Sequence, residues 1–240
     1  MIDWLRQGPA EPEIELSGRA LPIALRRDAR ARRLTLRLAP DGSAVRLTLP
    51  RWCRSAEALA FVHARRDWLE RELARIPERV LPGPGGTVSH RGTPLAIAWH
   101  ERAPRRAQLL DGQLVIGGPA ENLAHRLQRW LETEALRVLG EDLAHYCGKA
   151  GLSVPQLRLS RAQRRWGSCS SGGTVRINWR LVQAPDFVRR SVVAHEVAHL
   201  VHFDHSPAFK ALLAHLYGGS SEAADAWLRA HGRGLYAAFG

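Results

Sequence analysis

The stretch Val192-Val193-Ala194-His195-Glu196-Val197-Ala198-His199-Leu200-Val201 decides how this chain is read. Two histidines and one glutamate apart, it is apolar, so it predicts a helix buried almost all round. An unpaired carboxylate and two imidazoles in such a helix would cost on the order of several kcal/mol in desolvation. A divalent cation offsets that cost, because it gives the imidazoles a partner and the carboxylate a bound water to hold. The spacing agrees: His195 and His199 are four apart and leave the same helix face. They can converge on one ion at about 2.0–2.1 Å, the range for zinc and imidazole nitrogen. Glu196 is turned off that axis and is placed to take a proton from the bound water without being a ligand.

A third ligand is needed, and the sequence offers four. His205 follows His199 by six, directly before Ser206-Pro207, which looks like the N-cap and first residue of the next helix. It would sit where the chain folds back towards the metal. His202 lies at the frayed helix end, and Asp204 could instead hold an imidazole nitrogen. Glu222 lies on a later helical segment.

The 240 residues are 45% hydrophobic and include eight tryptophans, enough for one large core or two modest ones. Met1 to Glu15 lack a basic start followed by an apolar run, so no secretory leader is expected. No stretch reaches the roughly 18 apolar residues of a membrane span. Cys53, Cys147 and Cys169 are odd in number, far apart and outside any CxxC pair, which fits a reducing cytoplasm better than a disulfide framework. The formal charge of +12 would attract polyanions. The arginines that carry it are scattered, however, so nucleic acid is a secondary expectation.

Alternation in Leu34, Leu36, Leu38 and in Val45, Leu47, Leu49, around Asp41-Gly42, predicts a hairpin. A helix is expected from Ser55 to about Ile76, ended by Pro77 and Pro82-Gly83-Pro84-Gly85-Gly86. Residues 87 to 117 read as short strands with a turn at Asp111-Gly112, followed by a long helix from Glu121 to Cys147 punctuated by Gly148 and Gly151. A strand is expected at Gln156 to Ser160. A hairpin from Arg164 to Val182 then turns at Ser171-Gly172-Gly173, with Val175, Ile177, Trp179 and Leu181 alternating on its return strand. The last quarter reads as helical, and no internal repeat is visible.

The block His195-Glu196-Val197-Ala198-His199-Leu200, His202-Phe203-Asp204-His205-Ser206 and Phe209 resembles the active-site block of the YgjP-like metallopeptidase domain family, a relative of the SprT-like zinc peptidases. Arg165-Trp166-Gly167-Ser168-Cys169-Ser170, followed by Ile177-Asn178-Trp179-Arg180-Leu181, is similar to the family's second signature. So is the N-terminal pattern of paired basic strands and a helix carrying Phe61-Val62 and Trp68. The resemblance runs from about residue 20 to 217. It implies His195, His199 and His205 as zinc ligands and Glu196 as catalytic acid/base. Asp204 stands where the family often has Asn. The His199–His205 spacing equals that of metzincins, but their Gly is replaced here by His202.

The fold expected is therefore α+β: an N-terminal tail over 1–19, a strand-rich part over 20–118, and a zincin-like helical metallopeptidase part over 119–240. The function expected is hydrolysis of peptide bonds by a zinc-bound water with Glu196 as base. Its alternatives are a nucleic-acid-associated protease acting on DNA-bound proteins, a zinc hydrolase of non-peptide amides or esters, and a metal-bound scaffold without turnover. In peptidases of this general shape an edge strand beside the metal pairs with the substrate backbone. The hairpin's small residues Gly167 to Ser170 would let a peptide approach, or Trp166 and Trp179 are core residues and the small ones merely fit under the helix. Tyr217, Arg165 and His215 are candidates for stabilising an oxyanion. Neither the substrate nor the oligomeric state is legible.

Overall fold

A computed structural model of the protein describes residues 12–76, 81–170 and 172–239. The first eleven residues of the expected tail, Pro77 as helix terminator and Ser171 at the hairpin tip lie outside the described residues. The chain is mixed α+β, with sheets dominating its first half and helices its second. It divides into two compact units, Met1–Glu78 and Arg79–Gly240.

The first unit holds a four-stranded sheet of β1 (Glu13–Leu16), β2 (Arg19–Arg27), β3 (Thr35–Leu38) and β4 (Val45–Leu49), in the order β1-β2-β4-β3. The period-two pattern is realised on β4, where Val45, Leu47 and Leu49 are buried and the residues between them are half-exposed. β3 and β4 pair antiparallel as the leucine alternation predicts. The β1–β2 turn places Ser17 and Gly18 at φ 49° and 74°, the pair of positive values that a two-residue turn of right-handed twist requires.

The helix expected from Ser55 to Ile76 is two helices, α1 (Ser55–His63) and α2 (Arg66–Ala74). Neither Pro nor Gly stands at the break. The chain tightens there, with the Arg65 amide bonding the Val62 carbonyl three residues back. Ala58 and Val62 of α1 and Leu69 of α2 thereby enter one core with the sheet's inner face.

The second unit opens with another four-stranded sheet: β5 (Thr87–His90), β6 (Thr93–Trp99), β7 (Gln108–Leu110) and β8 (Gln113–Ile116), in the order β5-β6-β8-β7. Its pairings are antiparallel, parallel and antiparallel, as in the first sheet. One topology thus recurs in both units without a repeat in the residues. This sheet, expected on the N-terminal side of a division near residue 119, shares its core with the helices: Val88, Ile97, Leu114 and Ile116 cluster with residues of the long helix α3 (Leu123–Ala150). Leu123, Leu127, Leu131, Ala135 and Val138 form its buried stripe. Gly148 lies inside α3, and Gly151, at φ 67°, ends it in the left-handed conformation that glycine adopts without strain.

A third sheet, of β9 (Leu157–Ser160), β10 (Gly167–Cys169) and β11 (Val175–Asn178), has the order β10-β11-β9 and leaves β10 at its edge. The return strand ends earlier than alternation predicts. Asn178 accepts a hydrogen bond from the Arg180 amide and starts a 3-10 turn over Trp179–Gln183, so Trp179 and Leu181 are buried in a turn and not in a strand. Three helices complete the unit: α4 (Asp186–His199), α5 (Pro207–Tyr217) and α6 (Glu222–His231). Among the described residues no helix is long and apolar enough to cross a membrane.

Candidate metal centre

α4 carries the deciding stretch. Its buried face includes Val193, Ala194, Val197 and Ala198, which pin it in the core. His195 and His199 emerge one turn apart with their Nε2 atoms 3.1 Å from each other. Two nitrogens about 2.0–2.1 Å from a tetrahedral ion stand about 3.4 Å apart, so this pair is already at the spacing of two ligands on one metal. His205 joins them: one ring nitrogen of each of the three lies within 4.8 Å of the others. His205 is brought back by the turn that the sequence announces. Ser206 caps α5 by accepting from the Phe209 amide at 3.3 Å, and Pro207 occupies the first helical turn.

Capping has a second consequence. Phe209, buried, is set beneath all three imidazoles, with ring centroids 5.0 Å from His195, 4.5 Å from His199 and 4.9 Å from His205. Its ring fills the space into which the unliganded side chains could otherwise rotate. On the other side of His199, Nδ1 stands 2.9 Å from the His202 carbonyl. A proton on Nδ1 donated to that carbonyl leaves the Nε2 lone pair free for a cation, the usual way a ligating imidazole is oriented. His202 therefore takes part through its backbone. Asp204, offered as the imidazole's partner, instead accepts from the Ser206 amide at 3.3 Å and shapes the turn. Glu222 is exposed at the start of α6 and is not in the cluster.

Burial, then the neighbouring His199 and His205, lower the His195 pKa to about 4, so His195 is a neutral imidazole at neutral pH. Neutral imidazole is the form that binds metal.

Glu196, one residue past His195, packs against β10. It is 5% exposed, and its Oε2 is buried with no hydrogen-bond partner. Burial raises its pKa to about 7, while the Arg165 charge acts in the opposite direction. The carboxylate lies where a side chain of β10 would be. A Cβ built on Gly167 would stand 2.3 Å from Glu196 Oε1 and 2.7 Å from both Cδ and Cγ. The small residue thus makes room for the chain's own Glu196 side chain rather than for an approaching side chain. Cys169, two residues along β10, is half-buried, lies outside the histidine cluster, and has its thiol pKa raised by burial and by Glu196.

Trp166 and Trp179 are core residues. Trp179 is fully buried, and Trp166 packs on the core with its ring 5.6 Å from Tyr236. Of the three oxyanion candidates, the Tyr217 hydroxyl donates to the Phe187 carbonyl at 3.1 Å, and His215 is exposed on α5. Arg165 is the one whose charge acts on Glu196.

The sequence reading missed the clamp at the other end of α4. Arg189, 2% exposed, donates to Asp142 on α3 at 2.7 Å and to Asp186 at 2.6 Å. Asp186 also binds the Arg91 guanidinium, and these arginines, Arg91 first, hold its carboxyl well below the usual range. The signal was a buried-face arginine in an apolar helix, which needs a carboxylate partner from elsewhere in the chain.

Three imidazoles on a helix and the turn after it converge as a group that could hold a metal ion, with a buried carboxylate one residue past the first. The chain belongs to the YgjP-like family: the model of its metallopeptidase domain matches residues 32–231. Comparison with curated proteins and with solved structures gave no match.

Proposed function

We propose that the protein is a zinc-dependent peptidase in which His195, His199 and His205 hold the ion and Glu196 is the general base. The observation that carries this reading is the Glu196 carboxylate, buried with an unpartnered oxygen one residue past the first of three converging imidazoles. Such a group is costly to keep unless it handles a proton. Three imidazoles with an open fourth position suit zinc at a hydrolytic site. When bound, zinc supplies a Lewis acid that lowers the pKa of water and polarises a carbonyl.

The rest is done by the chain. Glu196 accepts the proton of the attacking water and returns it to the departing amine. Gly167 fixes where that carboxylate can be, and Phe209 with the His202 carbonyl hold the imidazoles in place. The edge strand β10 supplies the binding surface. The Trp166 carbonyl accepts from the Asn178 amide and the Ser170 amide donates to the Thr174 carbonyl, both on the β11 side. Alternation along the pleat then turns the amides and carbonyls of Gly167 and Cys169 outward, where an extended peptide can pair with them.

The test is cleavage of a panel of unfolded proteins by the zinc-loaded chain and by Glu196→Gln, alongside small non-peptide amides. The substitution keeps size and removes the base, so the variant should keep its zinc and melting temperature and lose about 10²–10⁴-fold in rate. Equal cleavage by the variant would refute the role of Glu196. Turnover confined to the small amides would refute the peptidase reading.

A further inference from the structure

The second unit carries a cleft of about 1200 Å³ whose lining contains none of the residues of the metal centre. One wall is α3, which contributes Arg126, Arg129, Trp130 and Arg137. The other is β7 and the segment before it, with Arg105 and Arg106. His90 and Arg91 line the cleft as well, so it gathers six arginines against a single carboxylate, that of Glu134. Six of the 35 basic residues of the sequence are thus assembled on one face by folding.

The pairing of these arginines is uneven. Arg137 is bound by Glu134 and Glu141, and Arg91 by Asp186. Arg105, Arg106, Arg126 and Arg129 have no carboxylate partner among the described residues; Arg126 Nη2 donates to the Pro119 carbonyl at 2.7 Å, and its Nε is buried with no hydrogen-bond partner. His90 makes the same point from inside the cleft. It is 8% exposed, its Nε2 has no hydrogen-bond partner, and the nearest carboxylate oxygen, on Glu134, is 3.8 Å away. Buried polar atoms left unsatisfied are rare, and both of these belong to residues that line the cleft. Apolar surface lies among the charges: Trp130 is half-buried, and Leu109 and Leu110 are 48% and 50% exposed.

From this we infer that the cleft binds single-stranded nucleic acid, phosphates on the unpaired guanidiniums and bases against Trp130 and the two leucines. The alternation of unpaired arginine with aromatic and apolar surface is what a single strand needs, since its base faces are open for stacking while a duplex hides them. Size argues against a small anion, because pockets for small molecules run to about 1000 Å³. An acidic peptide would meet the guanidiniums, but its carboxylates leave Trp130, Leu109 and Leu110 uncovered, and β7 offers it little edge for backbone pairing. In the two-residue turn at Asp111-Gly112, Leu110 and Gln113 bond each other, so within the strand only Leu109 turns its backbone groups outward.

The experiment is fluorescence anisotropy of a labelled twenty-residue oligothymidylate with the full chain, over a salt series and without regard to cleavage. Neutralising about four phosphates on a single strand gives a log–log salt slope of about −3. Arg106→Gln/Arg129→Gln removes two exposed, unpaired guanidiniums. It should leave the melting temperature unchanged and bring the slope down by about 1.4. Arg32→Gln/Arg33→Gln, an equal change of charge on the first unit, should leave slope and affinity as they were. Undetectable binding at low salt overturns the inference, as does an equal loss in the Arg32/Arg33 variant, which would mean diffuse attraction. It is also overturned if a duplex of the same length binds more tightly, or if polyglutamate of equal charge competes as well as unlabelled oligothymidylate.

Discussion

Gly167→Ala tests the site more sharply than removal of any reactive group. The substitution adds one methyl to a strand position whose φ is ordinary, so it makes no demand on the backbone. The demand is local: the new Cβ would lie 2.7 Å from Glu196 Cγ and 2.3 Å from Oε1. Carbon–carbon contacts settle at about 3.5–4.0 Å, so Cγ must retreat by about 0.8 Å. Rotating the carboxylate relieves only the oxygen, since Cγ is fixed by the first side-chain torsion. Either Glu196 adopts another rotamer or β10 moves off α4. Overpacking of this kind costs about 1–3 kcal/mol. In a unit of this size that is a melting temperature lower by about 2–12 °C. The atoms nearest the new Cβ all belong to Glu196 and none to a histidine, so the three histidines are not displaced. The variant should therefore bind zinc as the parent does, while a base misplaced by nearly 1 Å loses about 10²-fold in turnover. The assays are zinc content, thermal melting and kcat/KM on one peptide substrate. A Gly167→Ala protein with parental turnover would show that the position of the Glu196 carboxylate is immaterial, and the proposed mechanism would fall with it. Lost zinc would show instead that β10 supports the ligands.

Two further outcomes follow from the same geometry. His205→Ala removes a ligand and should lower both zinc affinity and melting temperature, because binding stabilises the folded state, whereas Glu222→Ala should keep both; the reverse result in a chelator titration would move the third ligand to α6. Asp186, whose carboxyl is held below the usual range by Arg91 and then Arg189, contributes stability that is complete above its unfolded pKa near 4 and is lost as the pH falls below that value. Asp186→Asn should thus be less stable than the parent at pH 7 and lose less of its stability between pH 5 and pH 3, as read by urea melts; parallel pH profiles would contradict the ion-pair account.

How much of this was legible depended on whether the signal was local. The helix, the four-residue step from His195 to His199 and the Ser206-Pro207 cap are all set by neighbours in sequence, and the structure places them as read. Hairpins with Gly at the turn were equally plain. What failed was decided at a distance. The break between Ala64 and Arg65 has no breaker residue; it follows from fitting Ala58, Val62 and Leu69 to one sheet face. Trp179 and Leu181 are a local exception: they keep the alternation of a strand, yet the Asn178 side chain accepts from the Arg180 amide two residues on and ends it. The same limit governed the charge, since four arginines without a carboxylate partner, separated by up to 24 positions, form a cleft only once α3 lies beside β7.

The two ends of α4 also explain one another. Its C-terminal half carries a buried, unpartnered carboxylate and a histidine cluster, both of which weaken the bare fold. Its N-terminal half is tied to α3 by the Arg189–Asp142 pair and to the β5–β6 turn by Arg91 and Asp186. A buried pair of this kind adds little net stability over a hydrophobic contact, yet breaking it costs about 3–5 kcal/mol, so it tolerates little displacement. That is what the site requires. A helix free to slide along its axis by even a fraction of one turn would carry His195 and His199 away from His205, which is held by a separate cap, and Glu196 away from the space left by Gly167. An apolar contact in place of Arg189 would hold α4 in the core as firmly and leave it freer to slip. The charged clamp at one end of α4 is therefore best understood as the register pin of the metal centre at the other.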